Sequence, residues 1–273
     1  MIAPTNNSIL ADIILAKKLE VGTAKKVTPL SAIKQEIDKL PPARPFASQL
    51  RRQDRVALIA EVKRKSPSKG ILRHHFDVPA IARDYTQAGA AALSVLTDQS
   101  FFGGDPGFIA QARENSDLPI LCKEFIVDPY QIYQARLLGA DAILLIVKVL
   151  TGADLDHFTS LAKRLGLEVL VETNTSEEIK QSLQAGAKII GINNRNLNTF
   201  QTDINTTLSL RHTITDPEIT VVSESGIRSH NDMKLLEEHG IHAALVGETL
   251  MRRSDLKQAV RELTGFEGNG EVD

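Results

Sequence analysis

Apolar residues arrive in short runs along most of the chain, at positions 56–60, 91–96, 120–122, 142–147, 169–171, 189–192, 219–222 and 243–246. Runs this short, built from Val, Ile, Leu and Ala, predict strands covered on both faces, as parallel strands are. Between them, apolar positions fall at helical spacing, as in 80–85, 154–165 and 176–185. Several of these segments stop at a glycine just before the next run, in Ala88-Gly89-Ala90, Leu138-Gly139-Ala140, Ala185-Gly186-Ala187 and His239-Gly240-Ile241. Glycine there supplies the left-handed residue that ends a helix.

Eight such units, one every roughly 20 to 35 residues, predict parallel strands joined by crossover helices, and eight is the number that closes into a barrel. A doubly wound open sheet competes, but no Gly-x-Gly-x-x-Gly follows an early run and no composition break marks a second domain. The expected fold is therefore α/β, a single (β/α)8 TIM barrel with an N-terminal helical extension. Positions 8–26 place Ile9, Ile13, Ile14 and Leu19 near helical spacing, with Ser8 as a candidate N-cap and Gly22 as a weak point. A second helix, 31–40, stops at Pro41-Pro42, and Pro45 keeps the following chain extended. This divides the chain into an extension at 1–46 packed on the barrel, a catalytic barrel at 47–264 and a flexible tail at 265–273.

Composition narrows the partners. Among 273 residues, 32 Lys+Arg nearly balance 34 Asp+Glu, so a net charge of −2 gives no global field for a nucleic acid or an anionic membrane. Any anion site must be local. The lone Cys122 cannot form an internal disulfide, and the opening residues lack the basic and apolar regions of a secretory signal. No apolar run approaches the roughly 18 residues that span a bilayer. A cytoplasmic protein is expected, with no nucleic-acid and no membrane partner, working as a monomer or at most a weak dimer.

In a barrel, chemistry sits where the strands end. The first run leads into Glu61-Val62-Lys63, and residues two apart share a face, so Glu61 and Lys63 line the mouth together or not at all. The same parity pairs Lys123 with Phe125 after the third run and Asn193 with Arg195 after the sixth, while Glu172 ends the fifth and Glu224 the seventh. Each residue alone reads as well as a solvated strand end or a structural ion pair. Together they bring three carboxylates, two lysines and an arginine to one rim, where opposite charges shift one another's pKa values.

Two loops add a second feature. Ser225-Gly226-Ile227 follows the seventh run, and Gly247-Glu248-Thr249-Leu250-Met251 follows the eighth and reads as a tight turn into a short helix. Glycine lets main-chain N–H groups approach a phosphate, and a helix start is electropositive. The Glu248 carboxylate would repel a phosphate if it faced inward, so only its amide is expected to serve. Elsewhere Cys122 reads as a small apolar side chain, His74-His75 as surface without a metal partner, and Lys25-Lys26 and Arg51-Arg52 as solvated charges. There is no zinc, P-loop or nucleophile-elbow signature.

The strand ends also carry a family likeness. Residues 60–68 (AEVKRKSPS), 93–97 (LSVLT), 122–132 (CKEFIVDPYQI), 191–197 (GINNRNL), 223–227 (SESGI) and 245–251 (LVGETLM) resemble the indole-3-glycerol-phosphate synthase family, and the likeness spans nearly the whole chain, N-terminal helices included. It implies a metal- and cofactor-free lyase of tryptophan biosynthesis. The substrate is 1-(2-carboxyphenylamino)-1-deoxyribulose 5-phosphate, taken through ring closure, decarboxylation and dehydration to indole-3-glycerol phosphate.

By matching motif, the resemblance implies Lys123 as acid in ring closure, Lys63 as acid in dehydration and Glu172 as base. The assignment of lysine to step is less fixed than the pair. Glu61 would tune the lysines, Asn193 would hydrogen-bond a hydroxyl or developing charge, and Glu224 completes the catalytic carboxylates. Ser66 and Arg195 would hold the substrate carboxylate. Phe102, Phe125, Leu144, Leu197 and Leu245 would wall the aryl ring, and Ser225, Gly226, Gly247 and the Glu248 amide would bind phosphate. Many relatives carry Asp where Glu124 stands; parity turns that side chain away from the mouth. The extension, 8–45, would cap the mouth or edge with apolar packing and little chemistry. The competing readings are another phosphosugar barrel, such as phosphoribosylanthranilate isomerase, and a catalytically silent barrel kept as a binding subunit.

Overall fold

A strand buried on both faces needs apolar residues at every position, and six consecutive buried residues, Ala57–Val62, make the first strand, β1, in the computed structural model, which describes residues 9–52, 54–196 and 200–266. The others are β2 (Ala92–Leu96), β3 (Ile120–Lys123), β4 (Ala142–Ile146), β5 (Glu168–Thr173), β6 (Ile189–Asn193), β7 (Thr220–Glu224) and β8 (Ala243–Val246). Each is parallel to its neighbours in chain order, and β8 pairs with β1 to close the barrel. Helices α1 (Ile9–Val27), α2 (Leu30–Ile37) and α3 (Ala47–Leu50) precede β1. The crossovers include α4 (Val78–Gln87), α5 (Gly107–Glu114), α6 (Pro129–Leu137), α7 (Gly152–Arg164), α8 (Ser176–Gln184), α9 (Asn205–Leu210) and α10 (His230–Glu238), and the chain continues through α11 (Glu248–Met251) and α12 (Leu256–Thr264).

Strand alternation splits the core into two layers. Ala57, Ile59, Leu121, Leu144, Leu170, Val222 and Leu245 face the barrel axis, while Leu58, Ala60, Cys122, Ile143, Val171, Val221 and Val246 pack outward under the helices. Full burial of one such Ile or Leu is worth about 1.5–3 kcal/mol. The buried Cys122 therefore behaves as a packing residue, while the exposed His74 and His75 lie on the surface.

Several boundaries differ from the sequence expectation. Helix α1 runs unbroken through Gly22, and α2 ends at Ile37, before the prolines, passing into a turn in which the amides of Lys39 and Leu40 donate to the carbonyls of Glu36 and Ile37 at 3.1 and 3.0 Å. Ser8 and residues 267–273 lie outside the described residues. Unforeseen are a two-stranded hairpin, Lys65–Ser66 with Gly70–Ile71, and the short α3, whose Leu50, with Phe46 just before the helix, enters the axial core and closes the bottom of the barrel. The Arg51-Arg52 pair is not simply solvated: Arg51 donates to the carbonyls of Glu218 and Pro217, and Arg52 to those of Gly89 and Ala90. Lys25 bonds Asp128 at 2.7 Å.

Candidate active site

Following the axial face of each strand upward, the apolar layer gives way to charge. Above Ile59, Leu121, Leu170 and Val222 stand Glu61, Lys123, Glu172 and Glu224, one each from β1, β3, β5 and β7. Their places at the strand ends predicted a common rim. What those places could not give is their proximity. Lys123 Nζ lies 2.8 Å from Glu224 Oε2 and 3.1 Å from Glu172 Oε2, joining strands 101 and 49 residues away in sequence. Asn193 Nδ2 donates to Glu172 Oε1 at 2.9 Å, and Lys63 Nζ pairs with Glu61 Oε2.

The bulk of these carboxylates fits because β6 and the end of β8 carry glycine beside them. A Cβ on Gly191 would strike Glu224 Oε1, and one on Gly247 would strike Glu61 Oε2 and come to 3.0 Å from Lys63 Nζ. Glycine in a strand often marks such a close approach, a signal present in the sequence and not used there.

Burial and crowding set the charges. Burial alone disfavours the Lys123 ammonium, but Glu224, Glu172 and Glu61 outweigh it and hold the proton well beyond the usual lysine range. Burial raises the Glu224 carboxyl to about 7, with Lys123 opposing and Glu172 reinforcing the shift. Glu224 Oε1 and Ser66 Oγ are buried without a hydrogen-bond partner among the described residues.

All these groups open on one cavity of about 550 Å³. Its walls include Ser66, Phe102, Phe125, Leu144 and Leu245, with the Phe102 and Phe125 rings 5.9 Å apart. Leu197 lies outside the described residues. At the other end stand Ser225, Gly226, Gly247 and Glu248, where Ser225 takes a left-handed φ of 67° and Thr249 Oγ1 donates to the Ile227 carbonyl at 2.7 Å, tying the two loops together. Arg195 is held by its main chain, its N donating to Asn193 Oδ1 at 3.0 Å, and its guanidinium lies 3.8 Å from Glu248 Oε2. The Glu248 carboxylate does face the cavity region, and Arg195 together with Arg252 at 3.3 Å counters its charge.

Some lining residues escaped the sequence reading. Thr202, Arg228, Arg252 and Lys69 add polar and basic groups; Arg252 is one helical turn beyond Glu248, a readable pairing, whereas Lys69 and Arg228 sit in loops without periodicity. From α1 come Ile9, Leu10 and Ile13, which add apolar side chains to the cavity lining. The extension carries charge as well as apolar packing: Lys17, only 4 % exposed, sits among Glu20, Asp98 and Glu124. Its partners are remote in sequence, so no local pattern signals it. Among the described residues no group of His, Cys, Asp and Glu has an arrangement that could hold a metal ion, and no helix is long and apolar enough to cross a membrane.

Comparison with known proteins adds an independent line. A family model described as Indole-3-glycerol phosphate synthase matches residues 10–263. A protein of that name from Desulforamulus reducens is 44% identical over 264 residues, covering 97% of this chain and 100% of its own. Another so named, from Legionella pneumophila strain Paris, is 45% identical over 258 residues, covering 94% and 98%. Among solved structures, a thiamine phosphate pyrophosphorylase from Pyrococcus furiosus superposes with a TM-score of 0.59 at 15% identity, covering 80% of this chain and 96% of that one, a likeness of fold alone.

Proposed function

The chain belongs to the indole-3-glycerol phosphate synthase family, and from that premise we propose which of its side chains carry the reaction. It is a decarboxylating carbon–carbon lyase that turns 1-(2-carboxyphenylamino)-1-deoxyribulose 5-phosphate into indole-3-glycerol phosphate, carbon dioxide and water. The aryl amine pushes electrons to the ring carbon bearing the carboxylate, and that carbon attacks the ribulose carbonyl. Lys123 gives its proton to the oxygen as it becomes an alkoxide, a far stronger base than an amine. Carbon dioxide then leaves, and the electron pair of the broken bond restores the aromatic ring.

In the second half the new hydroxyl must go. Nitrogen pushes it out as water with a proton from Lys63, which Glu61 orients, and Glu172 takes the proton from the adjacent methylene carbon to complete the indole. Asn193 fixes the Glu172 carboxylate, and Glu224 keeps Lys123 charged. A positioned acid or base contributes roughly 10²- to 10⁴-fold, so three together account for a large acceleration without a cofactor. Ser66 and Arg195 hold the substrate carboxylate. Phe102, Phe125, Leu144 and Leu245 press the aryl ring against the carbonyl, which lowers the entropic part of the barrier. Ser225, Gly226, Gly247 and the amide of Glu248 receive the phosphate.

The observation that carries this reading is the bonding of Lys123 to both Glu172 and Glu224 on the wall of the same cavity as the glycine loops. Phosphosugar isomerisation needs only one acid–base pair, and a silent binding subunit has no use for buried charge that is costly to keep. Lys123→Ala and Glu172→Gln should each lower kcat by at least about 10²-fold with the fold intact. Near-normal kcat in either variant removes that residue from the mechanism. The same reading has the chain working in a reducing cytoplasm as a monomer or at most a weak dimer, the lone buried Cys122 suiting the reducing compartment.

A further inference from the structure

Resting on the placement of the aryl ring just given, we infer that Lys17 of α1 is a positioning residue for the reaction, fixing the Phe102–Phe125 wall through its ion pairs with Asp98 and Glu124. Lys17 Nζ lies 3.1 Å from Asp98 Oδ2, 3.1 Å from Glu124 Oε1 and 2.6 Å from Glu20 Oε2. Two of these carboxylates grip the main chain that bears the rings. Asp98 Oδ1 accepts from the amides of Phe101 at 2.7 Å and Phe102 at 3.0 Å, and Glu124 Oε1 accepts from that of Phe125 at 2.8 Å.

The two phenylalanines lie on different loops, one after β2 and one after β3. No described hydrogen bond joins their main chains directly, and Lys17 is the cation common to the two carboxylates that hold them. Thr97 Oγ1 donates to Glu124 Oε2 at 2.8 Å, tying the two loops to each other beside Lys17, and Ser100 Oγ donates to Glu20 Oε1 at 3.1 Å, fastening the first of them to α1. Asp98 is fully buried, so without the ammonium it and Glu124 would face each other as neighbouring carboxylates with little solvent between them. One turn before Lys17 on the same face of α1, Ile13 lines the cavity, so the anchor also sets the apolar cap. The bond network accounts for the one buried charge of α1, whose other buried residues are Ile13 and Val21.

The test uses the full chain carrying Lys17→Met, which keeps the stem and removes the charge. Its readouts are kcat and KM with substrate, and inhibition constants for anthranilate, which mimics the aryl end, and for inorganic phosphate, which probes the other end. The expected result is a KM and an anthranilate constant each weakened about 10-fold, with the phosphate constant within about twofold and most of the loss restored by Lys17→Arg. Unchanged anthranilate affinity, or aryl and phosphate affinities falling together, overturns the inference. Asp98→Asn, which keeps an oxygen for the Phe101 and Phe102 amides, repeats the test if Lys17→Met does not fold. Phe102→Leu separates the two layers of argument: if it leaves anthranilate binding unchanged, the aryl placement itself is wrong; if it weakens binding while Lys17→Met does not, only the role of Lys17 fails.

Discussion

Replacing Glu224 by Gln should make the protein more stable at alkaline pH while disabling it. The carboxyl titrates near 7 in the folded chain against an ordinary value of 4.5, chiefly because it is buried. It therefore binds a proton more tightly folded than unfolded. The stabilisation from that proton is complete below pH 4.5 and is lost as pH rises through about 7. At about 1.36 kcal/mol per unit, the raised pKa costs the folded chain about 3 kcal/mol at pH 8, where Glu224 is ionised, and about 1 kcal/mol at pH 5.5, where it stays protonated against an unfolded chain that has ionised. Glutamine carries no such cost. The stability gained by the variant should thus be larger at pH 8 than at pH 5.5 by about 2 kcal/mol, or roughly 4 to 8 °C in Tm. Thermal unfolding of both proteins by calorimetry at the two pH values measures it. Because Lys123 then loses one of its two nearest counter-charges, kcat should fall by about 10²-fold or more. A variant destabilised equally at both pH values would refute the reasoning, since it would mean that the Lys123 pairing outweighs the burial of the carboxylate.

Other substitutions probe the site separately. Arg195→Ala should raise KM more than it lowers kcat, and the opposite split in steady-state kinetics would contradict a carboxylate-anchoring role. Gly247→Ala should lower kcat by about 10²-fold, because the added methyl displaces Glu61 from Lys63 and small misplacements of catalytic groups are costly. Gly152→Ala, whose Cβ would meet nothing within 4 Å, serves as its control, and equal activity of the two variants would dismiss the clearance argument.

The barrel was legible because its strands are covered on both faces, so each announces itself as an unbroken apolar run, and because each crossover helix carries its own spacing. The polar residue that interrupts a run stands out for the same reason: Glu172 lies inside β5, not beyond it, and its carboxylate bonds Lys123 and Asn193 on the axial face. Parity gave Glu61 with Lys63 and Asn193 with Arg195. Contacts across the barrel were illegible. Nothing local tells Lys123 that its partners stand on β5 and β7, or Lys17 that Asp98 and Glu124 await it. The short α3 was missed because four residues hold too little periodicity to read, although Phe46 and Leu50 are among the most buried side chains.

The floor of the barrel also bears on how the chain comes together as it leaves the ribosome. The amides of Phe46 and Ala47 donate to Glu168 on β5, at 2.5 and 2.6 Å, and that of Arg44 to Asp141 just before β4, at 2.7 Å. Those acceptors are synthesised about a hundred residues later. Residues 44–47 must therefore wait, unmatched, until more than half of the polypeptide has emerged, so a segment translated among the first is secured only once β5 has been made. Nascent chains halted before residue 168 should leave this stretch open to protease, while chains extended past β5 gain the carboxylates that secure it.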